Sequence, residues 1–178
     1  EQKRRMQPIF PEERRMTALV LGTDFSPRSD RALRRATVLA RQCGYEIVIV
    51  SVLEDEPSHE AAAEQRRVAS AMLREMQQTI AGQDGIECRI ELRTGRPSEQ
   101  LAQVARESGA EAVVIGPHRR APIGDAFGTI TAERIVEESP VPLIAANGVP
   151  SAPYRRLLLP IDLENDVSQR AVELVERL

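Results

Sequence analysis

The chain has 178 residues, of which 42% are hydrophobic and 29% charged, with a formal net charge of -3. This length accommodates one complete domain and part of another, and a weakly acidic chain has no general electrostatic attraction to nucleic acid. Trp is absent and aromatics are only 3%, so the core must be aliphatic; apolar runs such as Ala112 to Ile115 are far too short to span a bilayer, and no membrane partner is expected.

Residues 1–16 hold Lys and Arg clusters and two prolines with little periodicity, which predicts a flexible N-terminal arm. From Thr17 the pattern changes. Ala18-Leu19-Val20-Leu21 is a continuous apolar run, as expected of a strand buried on both faces. Gly22-Thr23-Asp24-Phe25-Ser26-Pro27 follows, with Ser26 placed to cap a helix and Pro27 suited to its first turn. Ala32, Leu33, Ala36, Leu39, Ala40 and Cys43 recur at helical spacing before Gly44. Ile47 to Val50 reads as a second buried strand, and Ser58 to Gly82 as a long helix with Val68, Met72, Met76 and Ile80 at every fourth position.

Ile86, Cys88, Ile90 and Leu92 then alternate with charged residues, the mark of a strand with one wet face at a sheet edge. A helix over Ser98 to Ser108, a strand at Ala112 to Ile115, a helix from about Thr129 to Glu138 and a strand at Leu143 to Ala146 complete the series. Alternating strands and helices with right-handed crossovers predict a three-layer α/β sandwich around a five-stranded parallel sheet. With the third strand at an edge, the order is 3-2-1-4-5, and ligands are expected where the order switches, beside the carboxyl ends of strands one and four. The residues there are Gly22-Thr23-Asp24 and Gly116-Pro117-His118-Arg119.

Leu157-Leu158-Leu159-Pro160-Ile161-Asp162 repeats the pattern of Leu19 to Asp24, and Arg170-Ala171-Val172 echoes Arg31-Ala32-Leu33. The expected organisation is an arm at 1–16, a domain at 17–147, a linker at 148–153 and the first strand and helix of a second repeat at 154–178. One strand and one helix do not fold alone. Either a longer tandem protein has been truncated, which is favoured, or the fragment docks on the first domain or on a partner. Cys43 and Cys88 read as small buried hydrophobes, and the two histidines, His59 and His118, are too far apart to suggest a metal site. No stretch from Glu1 resembles a secretory leader, so a cytoplasmic location is expected.

Leu19 to Ser26, the Gly95-Arg96-Pro97 turn, Val113-Val114-Ile115-Gly116, Ala132-Glu133-Arg134-Ile135 and Ser139-Pro140-Val141-Pro142-Leu143-Ile144 together resemble the universal stress protein family. The resemblance runs from about Thr17 to Ala146 and restarts at Tyr154. It implies an adenine-nucleotide-hydrolase-like fold and a regulatory stress-response protein, not a catalyst. It also implies ATP or AMP as ligand, magnesium only alongside ATP, and a homodimer paired along the edge of strand five, with an unknown protein partner. In that family an acidic residue at the position of Asp24 lies near ribose and adenine, and the residue at Val52 lines the adenine pocket. Phosphates lie on a loop reading Gly-x2-Gly-x9-Gly-Ser/Thr, where bare backbone and a helix N-terminus receive the anion.

Gly116 matches the first glycine, but Arg119 occupies the second, and counting on brings Thr129 and Ile130 to the last two positions. Gly128-Thr129 stands one residue early, and Pro117 removes a donor. Either the loop is one residue shorter or the cradle is lost, leaving a protein that acts by dimerisation or protein–protein contact. Arg119 and Arg120 can grip phosphate in place of the lost donors or plug the site with bulk. Gly128, Thr129 and Thr131 can contact an anion or merely cap a helix, and Asp24 can bind ligand or merely tie its own turn.

Overall fold

Continuous apolar runs become central strands here, and the strictly alternating segment becomes an edge. The computed structural model describes residues 17–54, 59–116, 128–150, 152–158 and 167–177. The elements are β1 (Ala18–Gly22), α1 (Ser29–Cys43), β2 (Glu46–Leu53), α2 (His59–Thr79), β3 (Cys88–Thr94), α3 (Pro97–Ser108), β4 (Ala110–Ile115), α4 (Gly128–Glu138), β5 (Leu143–Ala145) and α5 (Val167–Arg177). The strands form one five-stranded sheet in the order β3-β2-β1-β4-β5, every neighbouring pair parallel. This is the expected topology, with its switch between β1 and β4.

Because successive strand side chains face opposite ways, the sheet divides the core in two. Leu19, Leu21, Ile47, Ile49 and Val114 pack with Ala32, Ala36 and Leu39 of α1 and Leu73 of α2. Val20, Val48, Val50 and Val113 pack on the other face with Leu101, Val104 and Ala105 of α3 and Ile135 of α4. The strand residues among these are fully buried, and each such aliphatic side chain contributes about 1.5–3 kcal/mol relative to exposure. Cys43 and Cys88 are half-buried free thiols packed at the margin of the first cluster. Burial, with the Asp84 and Glu46 carboxylates adding to it, pushes the Cys88 thiol up to about 11, so it is not poised as a nucleophile.

Three local expectations are corrected. Ser26 does not cap α1 with its side chain: the cap position is Arg28, and Ser26 instead presents its carbonyl to the Ser29 amide at 3.0 Å and the Ser29 hydroxyl at 2.8 Å. The long helix does not end at Gly82. Its final turn widens into a π-helix over Ile80–Asp84 and stops at Gly85, where φ is 65°.

The buried stripe of α2 is also not the every-fourth row. Val68 and Met72 are exposed, at 42% and 38%, while Ala69, Leu73 and Ile80 are buried with Met76 packed against them. At 3.6 residues per turn, a strict fourth-residue row drifts by about 40° per step, so a straight contact stripe alternates steps of four and three.

The C-terminal segment returns along α1. Arg31 donates to the Asn147 carbonyl at 2.8 Å, Arg35 donates to the Ala152 carbonyl at 3.1 Å, and the Arg35 guanidinium lies 4.1 Å from the centre of the Tyr154 ring. α5 then buries Leu174 in the cluster beneath α1 and α2. The Cys43 thiol donates to the Arg177 carbonyl at 3.2 Å, and Arg177 pairs with Glu111. Residues 152–158 carry no strand, and Leu158 is 96% exposed. The arm at 1–16 and residues 159–166 lie outside the described residues.

Candidate functional site

Parallel strands that diverge to opposite helix layers leave a crevice at their carboxyl ends. Here it is a cleft of about 530 Å³, within the usual range for small-molecule sites. Its walls are apolar: Val50 and Val52 of β2, Leu101 and Pro97 of α3, Ile115 of β4, Ala132 of α4 and Ala145 of β5. Thr23, Asp24, Arg28, Ser29, Glu54 and Asn147 supply its polar groups.

The turn after β1 is built by side chains bonding to nearby backbone. The Thr23 amide extends the ladder by donating to the Val50 carbonyl at 2.9 Å. Its hydroxyl donates to Ser29 Oγ at 3.1 Å and accepts from the Phe25 amide at 3.1 Å. One oxygen of Asp24 accepts from the Ser26 amide at 3.0 Å, the local carboxylate turn expected of an Asp at such a position. Between them Phe25 sits at φ 58°, a conformation that costs a non-glycine residue about 1–2 kcal/mol. Phe25 packs against the core beside α1, and this contact and the two turn hydrogen bonds offset that strain.

Asp24 is therefore both a turn former and an exposed lining group of the cleft. Partial burial pushes its carboxyl up, but hydrogen bonds from Ser26 and Ser29 outweigh this and hold it below its ordinary value. The sign follows directly. Its stabilising contacts are complete above the usual carboxylate range and vanish only as pH falls through the lowered value. At neutral and mildly acidic pH the cleft presents an anionic acceptor there.

Gly116 stands at the end of β4 and lines the same cleft. A Cβ there would lie 2.4 Å from the Arg28 carbonyl oxygen and 2.8 Å from its carbon, so the first need for glycine is close packing of β4 against the entry to α1. The structure thus brings Thr23, Asp24, Val52 and Gly116 together around one cleft. Gly128, Thr129 and Thr131 open α4 as expected of the helix after the loop. Arg119 and Arg120, with Pro117 and His118, lie outside the described residues.

Glu54, Arg28, Ser29, Asn147, Pro97 and Leu101 were missed as lining residues. The rule that strand ends line the crevice points to Glu54 after β2 and Asn147 after β5. For Leu101, helical spacing shows only that it is buried, not that it floors a cleft. Among the described residues, no cluster of three or more His, Cys, Asp and Glu is placed to hold a metal ion, and no helix is long and apolar enough to cross a membrane.

A family model described as the universal stress protein family matches residues 16–147. Among solved structures, a universal stress protein from Lactobacillus plantarum is similar at 20% identity, with a TM-score of 0.64, over 74% of this chain and 97% of its own. One from Archaeoglobus fulgidus is similar at 26% identity and a TM-score of 0.59, over 74% and 98%. A universal stress protein from Archaeoglobus fulgidus in complex with dAMP is similar at 25% identity and a TM-score of 0.54, also over 74% and 98%. No curated protein is matched.

Proposed function

From the premise that the chain belongs to the universal stress protein family, we propose that it is a regulatory protein that binds an adenine nucleotide in the β1/β4 cleft and does not turn it over. The observation that carries this is the cleft itself: apolar walls sized for a base, with the ionised Asp24 among its polar lining groups. Val50, Val52, Leu101 and Ile115 suit the faces of a purine, and a carboxylate accepts paired hydrogen bonds from ribose hydroxyls. The related protein that holds dAMP supports adenine as the base. AMP is the simplest ligand, ATP with magnesium a further candidate. In the absence of an acidic cluster among the described residues, any magnesium would rely on the phosphates for most of its contacts.

Nucleotide occupancy would act through a surface shared with a second copy or an unknown protein partner, with different ligand affinities in the two states. The edge strand β5 (Leu143–Ala145), with Leu143 and Ile144 half-buried, is the proposed pairing surface for a homodimer. Sedimentation equilibrium should give twice the chain mass, and a monomer at all accessible concentrations would remove this part. Residues 154–178 are proposed as the start of a second repeat. Two free thiols suit a reducing cytoplasm.

Calorimetric titration of the whole chain with AMP tests the central claim. Binding is expected, and Asp24→Ala should weaken it about tenfold or more by removing a charged acceptor. Adenosine, which has no phosphate to titrate, should bind with an affinity that is flat from neutral to mildly acidic pH, because the Asp24 carboxyl lies below its ordinary value. No heat and no thermal shift at millimolar AMP or ATP would overturn the proposal and favour a protein that works by protein contact alone.

A further inference from the structure

We infer that Arg28 is the phosphate-recognising cation of this cleft, so that the site selects a nucleotide over the corresponding nucleoside; this rests on the adenine-nucleotide proposal above. Among the described residues lining the cleft, Arg28 is the one cation, and the two acidic residues are Asp24 and Glu54. Without it, an incoming phosphate would meet, among the described lining residues, two carboxylates and no compensating charge, and like charges at short range disfavour binding. The sequence pattern did not single it out, because it precedes α1 as one arginine among several.

Its guanidinium is uncommitted among the described residues. It makes no ion pair or side-chain hydrogen bond with any described residue, whereas Arg31 and Arg35 of α1 are held by the Asn147 and Ala152 carbonyls. Its backbone, by contrast, is fixed. The Arg28 carbonyl accepts from the Arg31 amide at 3.1 Å, and it packs so closely on Gly116 that a Cβ there would approach to 2.4 Å. A cation with a clamped backbone and a head unpaired among the described residues can engage phosphate by two parallel hydrogen bonds without first breaking a contact to any of them. The positive end of the 15-residue helix α1 begins at the next residue and adds to the same field.

The test compares adenosine with AMP by calorimetry on the full chain and on Arg28→Gln and Arg28→Lys. The wild type should bind AMP about tenfold or more tightly than adenosine, the size of a lost charge-assisted contact. Arg28→Gln should bring AMP down to the adenosine affinity while leaving adenosine unchanged, and Arg28→Lys should restore part of the difference. The AMP preference should also shrink as salt rises, while adenosine binding should not.

Equal wild-type affinity for adenosine and AMP would overturn the inference while leaving a nucleoside site. An unchanged AMP affinity in Arg28→Gln would also overturn it. Parallel loss of both ligands would show a structural role and overturn it too. Wild-type protein that binds neither ligand would instead remove the underlying proposal.

Discussion

Gly116→Ala should destabilise this protein by about 1–3 kcal/mol, the usual range for forcing an extra carbon into a packed site. For a domain of this size that is a fall in thermal midpoint of roughly 2–10 °C. The added carbon would sit 2.4 Å from the Arg28 carbonyl oxygen and 3.1 Å from the Ser29 nitrogen. Both obstacles are backbone, tied to α1 by the bond from the Arg31 amide, so neither can rotate away. Gly22→Ala is the matched control. The nearest atoms to its added carbon would be Leu101 and Ile115 side-chain atoms at 3.1–3.3 Å, which need to give by only a few tenths of an ångström, so a smaller loss is expected. Denaturant unfolding of the two variants reads this order, and equal stability of Gly116→Ala and the parent would refute the packing account. Loss of AMP binding at unchanged stability would mean that the glycine serves the ligand and not the fold.

Leu174→Ala should cost about 2–4 kcal/mol, as truncation of a buried leucine does when its surroundings relax only in part. Leu174 joins α5 to the cluster formed by α1, α2 and the sheet. Around it the Arg177–Glu111 pair and the Cys43–Arg177 hydrogen bond are exposed and contribute little on their own, so most of the docking energy must reside in the apolar contact. Arg35→Ala should cost less, since it removes the cation over Tyr154 and one bond to the Ala152 carbonyl. The alternative is an α5 that belongs wholly to a second repeat and contributes nothing to the first. In that case Leu174→Ala and removal of everything after Asn147 would both leave the unfolding midpoint of the first domain unchanged.

Much of the fold was legible because it rests on periodicities that the backbone imposes. The run Leu19-Val20-Leu21 has no polar face, so it could only be a central strand, and it is fully buried. The alternation from Cys88 to Leu92 required one wet face, and β3 is the edge. These two facts, with right-handed crossovers, suffice for the order of the sheet and for the place of the crevice.

Legibility fell off where spacing was matched to the wrong integer or where a partner lay far away in sequence. Val68 and Met72 look like a buried row only if a helix repeats every four residues; at 3.6 they rotate out to solvent. Ser26 looks like a cap, but the hydroxyl of Ser29 and the carboxylate of Asp24 take over the turn.

The sequence by itself determined which segments are strands, which is the edge, and that Thr23, Asp24 and Gly116 share one rim, because each follows from repeat lengths and crossover handedness; Val52 joined that rim through the family resemblance. Only the tertiary structure decided that Arg28 completes that rim, that the glycine at 116 is required by the Arg28 carbonyl, and that Leu174 enters the core beside α1 and α2. Those are contacts between residues far apart in the chain and on separate elements. Such distances are set by how layers close on one another, and no local pattern encodes them.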